Sequence, residues 1–132
     1  MYKKNLLFFG VCLTAMFILF GCQEKEVEEE MPAMIDVQVN ISPETAKINE
    51  MIAFEVTVTQ GDEKVTDASS VEFEFGQKDG TVIEKIAVEH KQDGIYSLEK
   101  SFNEAGDYYI IPHVSARDMH AMPKKEFSIA NQ

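Results

Sequence analysis

From residue 35 onward the chain is apolar at every second position. Ile35, Val37, Val39 and Ile41 alternate with Asp36, Gln38 and Asn40. After a break at Ser42-Pro43, Ile52, Phe54, Val56 and Val58 alternate with Ala53, Glu55, Thr57 and Thr59. Successive side chains of a β-strand point to opposite faces, so a period of two marks a strand with one face in a core. The pattern returns in Val71, Phe73 and Phe75, and in residues 82–90, where Ile86 and Val88 share a face. It returns again in Tyr96, Leu98 and Phe102, in Tyr108, Ile110 and Val114, and in Phe127 and Ile129. Gly61-Asp62, Gly76 to Gly80, Asp93-Gly94 and Ala105-Gly106 supply the turns, and Asp93-Gly94 is a two-residue hairpin signal. No stretch after residue 22 has a useful helical period. Seven short strands with such turns predict an all-β fold, an immunoglobulin-like antiparallel β-sandwich. Gly106-Asp107-Tyr108, at the start of the sixth strand, fits a tyrosine corner. About 100 residues suffice for one two-sheet core.

The N-terminus reads differently. Lys3 and Lys4 precede an apolar run from Leu6 to Phe20, the length of a signal segment and too short for a comfortable membrane span. The run ends in Leu19-Phe20-Gly21-Cys22, which resembles a bacterial lipobox. The expectation is a signal peptide over 1–21 and a lipidated Cys22, with the chain anchored to the extracytoplasmic face of a bacterial cell membrane. The other reading is an uncleaved anchor with an incidental cysteine. Residues 22–33 form an acidic linker in which Glu24, Glu26, Glu28, Glu29 and Glu30 repel one another. The folded domain is expected over 34–131. Cleavage removes Lys3 and Lys4 and no carboxylate, taking the net charge from −11 to −13. So acidic a domain repels nucleic acid, which excludes that class of partner. Cys12 and Cys22 are the only cysteines, so the domain has no disulfide, and with no Trp it is not an antibody-type domain.

One segment concentrates metal-binding side chains. His113-Val114-Ser115-Ala116-Arg117-Asp118-Met119-His120-Ala121-Met122-Pro123 holds two of three histidines and two of seven methionines. Imidazole and thioether together suit copper, and thioether favours Cu(I). The plainer reading is that Met fills gaps in a packed loop and the histidines lie on the surface. If successive strands reverse direction, one pole of the sandwich collects the chain entering strand one, His90 at the end of strand four, and the loop His113–Met122. His120 and Met122 are then the core ligands, Met119 or His113 completes a three- or four-coordinate Cu(I) site, and His90 braces the loop or binds Cu(II). His90 also reads as a partly buried strand-end residue, since it continues the phase of Ile86 and Val88. Met31 and Met34 either visit the site or cover the sandwich edge. Arg117 and Asp118 pair with each other or brace the loop. No nucleophile–base set, phosphate loop or informative pair of carboxylates is visible, so an enzyme is not expected. The remaining carboxylates are expected on solvated strand faces.

The segment from His113 to Pro123, with Asp93-Gly94-Ile95-Tyr96, Gly106-Asp107-Tyr108 and Lys124-Lys125, resembles the signature of the YtkA-like domain, related to FixH-type proteins. The resemblance runs over about residues 35–130. It implies an immunoglobulin-like sandwich, a membrane-tethered extracytoplasmic location and an association with assembly of haem–copper (cytochrome c) oxidases. His120-Ala121-Met122 is also similar to the His-x-Met element of extracytoplasmic copper chaperones. The expected function is copper delivery, with a haem–copper oxidase subunit or another copper protein as partner. The alternative is a metal-free protein-interaction module in which Met119 and Met122 are apolar anchors.

Overall fold

The computed structural model describes residues 30–132. The expected signal segment, Cys22 and the expected linker up to residue 29 lie outside the described residues. Eleven strands follow one another: β1 Ile35–Ser42, β2 Thr45–Lys47, β3 Ile52–Gln60, β4 Glu63–Lys64, β5 Ser70–Gln77 and β6 Val82–Ala87. Then come β7 His90–Gln92, β8 Ile95–Lys100, β9 Gly106–Ala116, β10 Met119–Ala121 and β11 Lys125–Ala130. One sheet has the order β1-β3-β8-β7, with β4 on β3. The other has the order β2-β11-β9-β5-β6, with β10 on β9. This is the expected all-β sandwich. All pairings among the described residues are antiparallel except β2 with β11. That exception arises because the first strand changes sheets: past Ser42-Pro43 the chain leaves β3 and runs as β2 along β11.

The alternation explains the core. The residues that the period of two assigns inward are buried in the core or partly buried against it, with Ile52, Phe54, Val56 and Val58 all 0% exposed along β3. Phe54 of one sheet meets Phe75 and Phe127 of the other edge-on, with ring centres 4.9 and 5.1 Å apart. Phe102, just after β8, closes the cluster at 5.9 Å from Phe75 and 5.3 Å from Phe127. Such pairs add about 0.5–1.5 kcal/mol each beyond the area they bury.

Tyr108 forms the expected corner: its hydroxyl donates to the Glu104 carbonyl at 2.8 Å, four residues back, and its ring stacks near Phe127. Burial, and to a lesser extent Glu104, raises the phenol above its ordinary pKa. Tyr108→Phe is expected to lower stability by about 1 kcal/mol. Urea unfolding should show this as a lower midpoint with an unchanged slope.

The fourth expected strand is not continuous. β6 ends at Ala87, and His90 starts β7 in the opposite sheet. The Val88 amide makes a last bond to the Val71 carbonyl of β5. The chain is then drawn across by the Asp93-Gly94 turn, whose φ values of 49° and 75° are those of a two-residue hairpin folding β7 onto β8. His90 therefore does not continue the face of Ile86 and Val88. At the other open edge, Lys125 reaches from β11 to the Val39 carbonyl at 3.3 Å and to Glu44 at 2.8 Å, which places a charge against the unpaired side of β1.

Candidate metal centre

The expected loop from His113 to Met122 is a hairpin. β9 extends to Ala116, and β10 begins three residues later with Met119 opposite Ala116, His120 opposite Ser115 and Ala121 opposite Val114. Only Arg117 and Asp118 turn, with φ of 52° and 61°. Side chains other than glycine are uncommon in this left-handed region and stay there when their surroundings hold them. Arg117 is held. Its guanidinium donates to Glu63 through two nitrogens at 2.8 and 2.9 Å, to Gln60 at 2.8 Å and to Asp67 at 3.4 Å. It braces the hairpin against β3 and β4 rather than pairing with Asp118. These bonds hold the Glu63 carboxyl below its ordinary pKa, the hydrogen bond from Arg117 being the larger cause and its charge the next. A depressed carboxyl stabilises the fold above its unfolded pKa, so the clamp is intact near neutrality and loosens as acid titrates Glu63.

Register then sorts the candidate ligands by face. On β9, Pro112, Val114 and Ala116 point into the core, so His113 and Ser115 point out. His120, opposite Ser115, shares the outer face, and its ring centre lies 6.1 Å from that of His113. Ser115 Oγ lies 2.8 Å from His120 Nδ1, and His113 Nε2 lies 3.3 Å from Glu74 Oε1. Each imidazole thus has one nitrogen tied to a neighbour, and the two tied nitrogens differ. Met122, just past the end of β10, is 50% exposed. Met119, opposite Ala116, is turned the other way and packs against the core. His90 lies in the other sheet, where its Nε2 accepts the Gly94 amide at 3.0 Å and its ring meets Tyr96 at 5.2 Å. It sits partly buried at the start of β7 with one ring nitrogen bonded to backbone. Met31 and Met34 are 90% and 72% exposed.

The sequence did not single out what surrounds His113. Glu74, on β5, was expected on a solvated face, but its side chain is only 12% exposed. Three donors converge on it: His113, the Tyr109 hydroxyl at 3.3 Å and Lys85 at 3.7 Å. Tyr109 points outward from β9 yet is 3% exposed. Its ring lies over Gly76, its register partner, where an added Cβ would come within 2.3 Å of the phenol Cζ and Oη. Lys124 covers the ring from 4.5 Å. Burial first, then Glu74, raises the Tyr109 phenol above its ordinary pKa. The Glu72/Glu74 alternation does assign both residues to the outer face. Only the β5–β9 register brings them to His113.

The spacing of the two rings is one that a shared transition-metal ion allows. Two imidazoles on one ion, each at about 2.0–2.1 Å, place their ring centres roughly 5–6.5 Å apart, and the pair is at 6.1 Å. Among the described residues no group of three or more His, Cys, Asp or Glu is placed to hold an ion. The donors that the structure brings together at the pair are two imidazoles, which suit a transition metal better than calcium or magnesium.

Residues 30–113 match the YtkA-like family. The chain belongs to the YtkA-like family. The matched span contains the sandwich up to His113, so Met119, His120 and Met122 lie beyond it, and the YtkA-like resemblance read from the whole 113–123 segment is wider than the match. No curated protein matches the chain. Among solved structures, this YtkA-like chain is similar to the PmoD soluble domain from Methylocystis sp. ATCC 49242 (Rockwell), with 12% identity, a TM-score of 0.49, and coverage of 74% of this chain and 92% of that one. It is also similar to a CARDB domain from Pyrococcus furiosus solved in complex with di-metal ions, with 16% identity, a TM-score of 0.46, and coverage of 78% and 90%. A PKD domain of an M14-like peptidase from Thermoplasmatales archaeon SCGC AB-540-F20 gives 12% identity, a TM-score of 0.42, and coverage of 74% and 94%.

Proposed function

We propose that the protein is a lipid-anchored, extracytoplasmic copper-binding protein that hands copper to a membrane partner such as a haem–copper oxidase subunit. The observation that carries the reading is the His113–His120 pair across a braced two-residue hairpin, with one nitrogen of each ring tied and the other without a hydrogen bond among the described residues. His113, His120 and Met122 are the ligands. Met119, packed against the core, supports the hairpin instead. His90, bonded to Gly94, holds the neighbouring turn and does not ligate. A half-exposed Met122 keeps one side of the site open to a receiving protein, as transfer of a cargo ion requires. The domain lacks cysteine, so it presents no thiol for oxidation outside the cell. The N-terminal Leu19-Phe20-Gly21-Cys22 supports the anchor. The role is binding, not catalysis.

The test is Cu(I) competition against a chromogenic chelator, using the fragment from Gln23 onward beside the double variant His120→Ala with Met122→Ala. One equivalent bound by the parent and lost by the variant is the expected result. A parent that leaves all the copper with the chelator removes the copper reading. Capture of a partner by the same hairpin would then favour a metal-free interaction module with Met122 as an apolar anchor.

A further inference from the structure

We infer that Glu74 is the positioning residue of this site: it takes the His113 Nε2–H and leaves Nδ1 as the ligating nitrogen. The inference rests on the copper reading for its purpose, though not for its geometry. A carboxylate only accepts, so a hydrogen bond from His113 at 3.3 Å places the proton of the neutral ring on Nε2 and the lone pair on Nδ1. A metal-bound imidazole is commonly oriented in this way, its other nitrogen donating to a carboxylate. Glu74 is itself fixed. The Tyr109 hydroxyl donates to its second oxygen, Lys85 lies 3.7 Å from its first, and the side chain is largely shielded. Tyr109 reaches it because Gly76 leaves room for the ring and Lys124 closes over it. Gly76, Tyr109 and Glu74 thus form a chain of contacts that ends on His113. His120 is handled by a different group, Ser115, through its Nδ1. The two rings are thus tied through different nitrogens, Nε2 in His113 and Nδ1 in His120, and only the carboxylate, which cannot donate, fixes the tautomer of its ring.

The experiment uses the full chain in detergent micelles, labelled with ¹⁵N-histidine and free of metal. Long-range ¹H–¹⁵N spectra read the tautomer of each ring. The parent is expected to show His113 with its proton on Nε2. Glu74→Leu is expected to give a mixture of tautomers at His113 while His120 is unchanged, and to weaken Cu(I) binding about tenfold or more. Glu74→Gln, whose amide oxygen still accepts, is expected to keep both the tautomer and most of the affinity. Should Glu74→Leu fail to fold, Tyr109→Phe carries the same readout, because loss of the hydroxyl frees Glu74 and admits the second tautomer. A His113 tautomer that is mixed in the parent, or unchanged in both Glu74→Leu and Tyr109→Phe, overturns the inference. So does a Glu74→Leu protein that binds Cu(I) as tightly as the parent. A parent with His113 locked but no affinity for Cu(I) defeats the copper reading, and with it the ligating role of Nδ1.

Discussion

Phe54→Ala is expected to cost the sandwich about 3–5 kcal/mol, a large part of its stability. Phe54 is 0% exposed and sits among Phe75, Phe102 and Phe127, with ring centres 4.9, 6.4 and 5.1 Å away. The substitution removes the buried ring and leaves a cavity between rigid sheets that cannot close over it. The cost of such a change is about 3–5 kcal/mol, against a total stability of about 5–15 kcal/mol for a domain. Phe54→Leu, which keeps most of the volume, should cost only about 1–2 kcal/mol. Urea unfolding of the three proteins decides the matter. An Ala variant within 1 kcal/mol of the parent, by roughly the error of such extrapolations, would mean that the aromatic cluster does not hold the two sheets together.

The second large effect is expected from Gly76→Ala. A methyl group at Gly76 would lie 2.3 Å from Cζ and Oη of Tyr109, so the ring has to leave its seat or β5 and β9 have to separate. Overpacking of this kind costs about 1–3 kcal/mol. The two ways of relieving the clash are distinguishable. If the ring swings out, ultraviolet titration should show the Tyr109 phenol returning towards its ordinary value, because burial and Glu74 no longer raise it. The sign follows from linkage. A phenol raised in the folded state stabilises it below the unfolded pKa and loses that contribution as pH rises through the folded value. Below that range the parent should therefore be the more stable protein, and the difference should shrink in strong base. Tyr109→Ser with Gly76→Ala should largely cancel the packing cost of the glycine substitution, the mark of two residues sharing one space. Full additivity of the two changes would show that the glycine is not there for the ring.

Much of the architecture was legible because alternation is a property of a few consecutive residues. Ile52 to Val58 announces a buried strand without reference to anything else in the chain. Asp93-Gly94 announces a hairpin by its backbone preferences, and Gly106-Asp107-Tyr108 a corner, which the Tyr108–Glu104 bond bears out. The break after Val88 was not legible. It depends on a bond to Val71 and on the pull of β8, both distant in sequence.

For the site, the sequence by itself determined the donor types: histidine and methionine in one segment, no cysteine in the domain, an acidic surface. The structure extends β9 through this segment to Ala116, so that His113 and Ser115, two apart, share a strand face. The tertiary structure decided that Arg117-Asp118 turns in two residues, a turn without glycine or asparagine to announce it and stabilised by Glu63, Gln60 and Asp67 from elsewhere in the fold. That turn sets the parity of β10. It sends His120 outward to His113 and Met119 inward to the core, and a slip of one residue would exchange them. The register of β5 against β9 likewise brought Glu74 to His113. Which face a residue occupies follows from its neighbours along the strand. Which residues meet on that face follows from pairing across strands, set by contacts far apart in the chain.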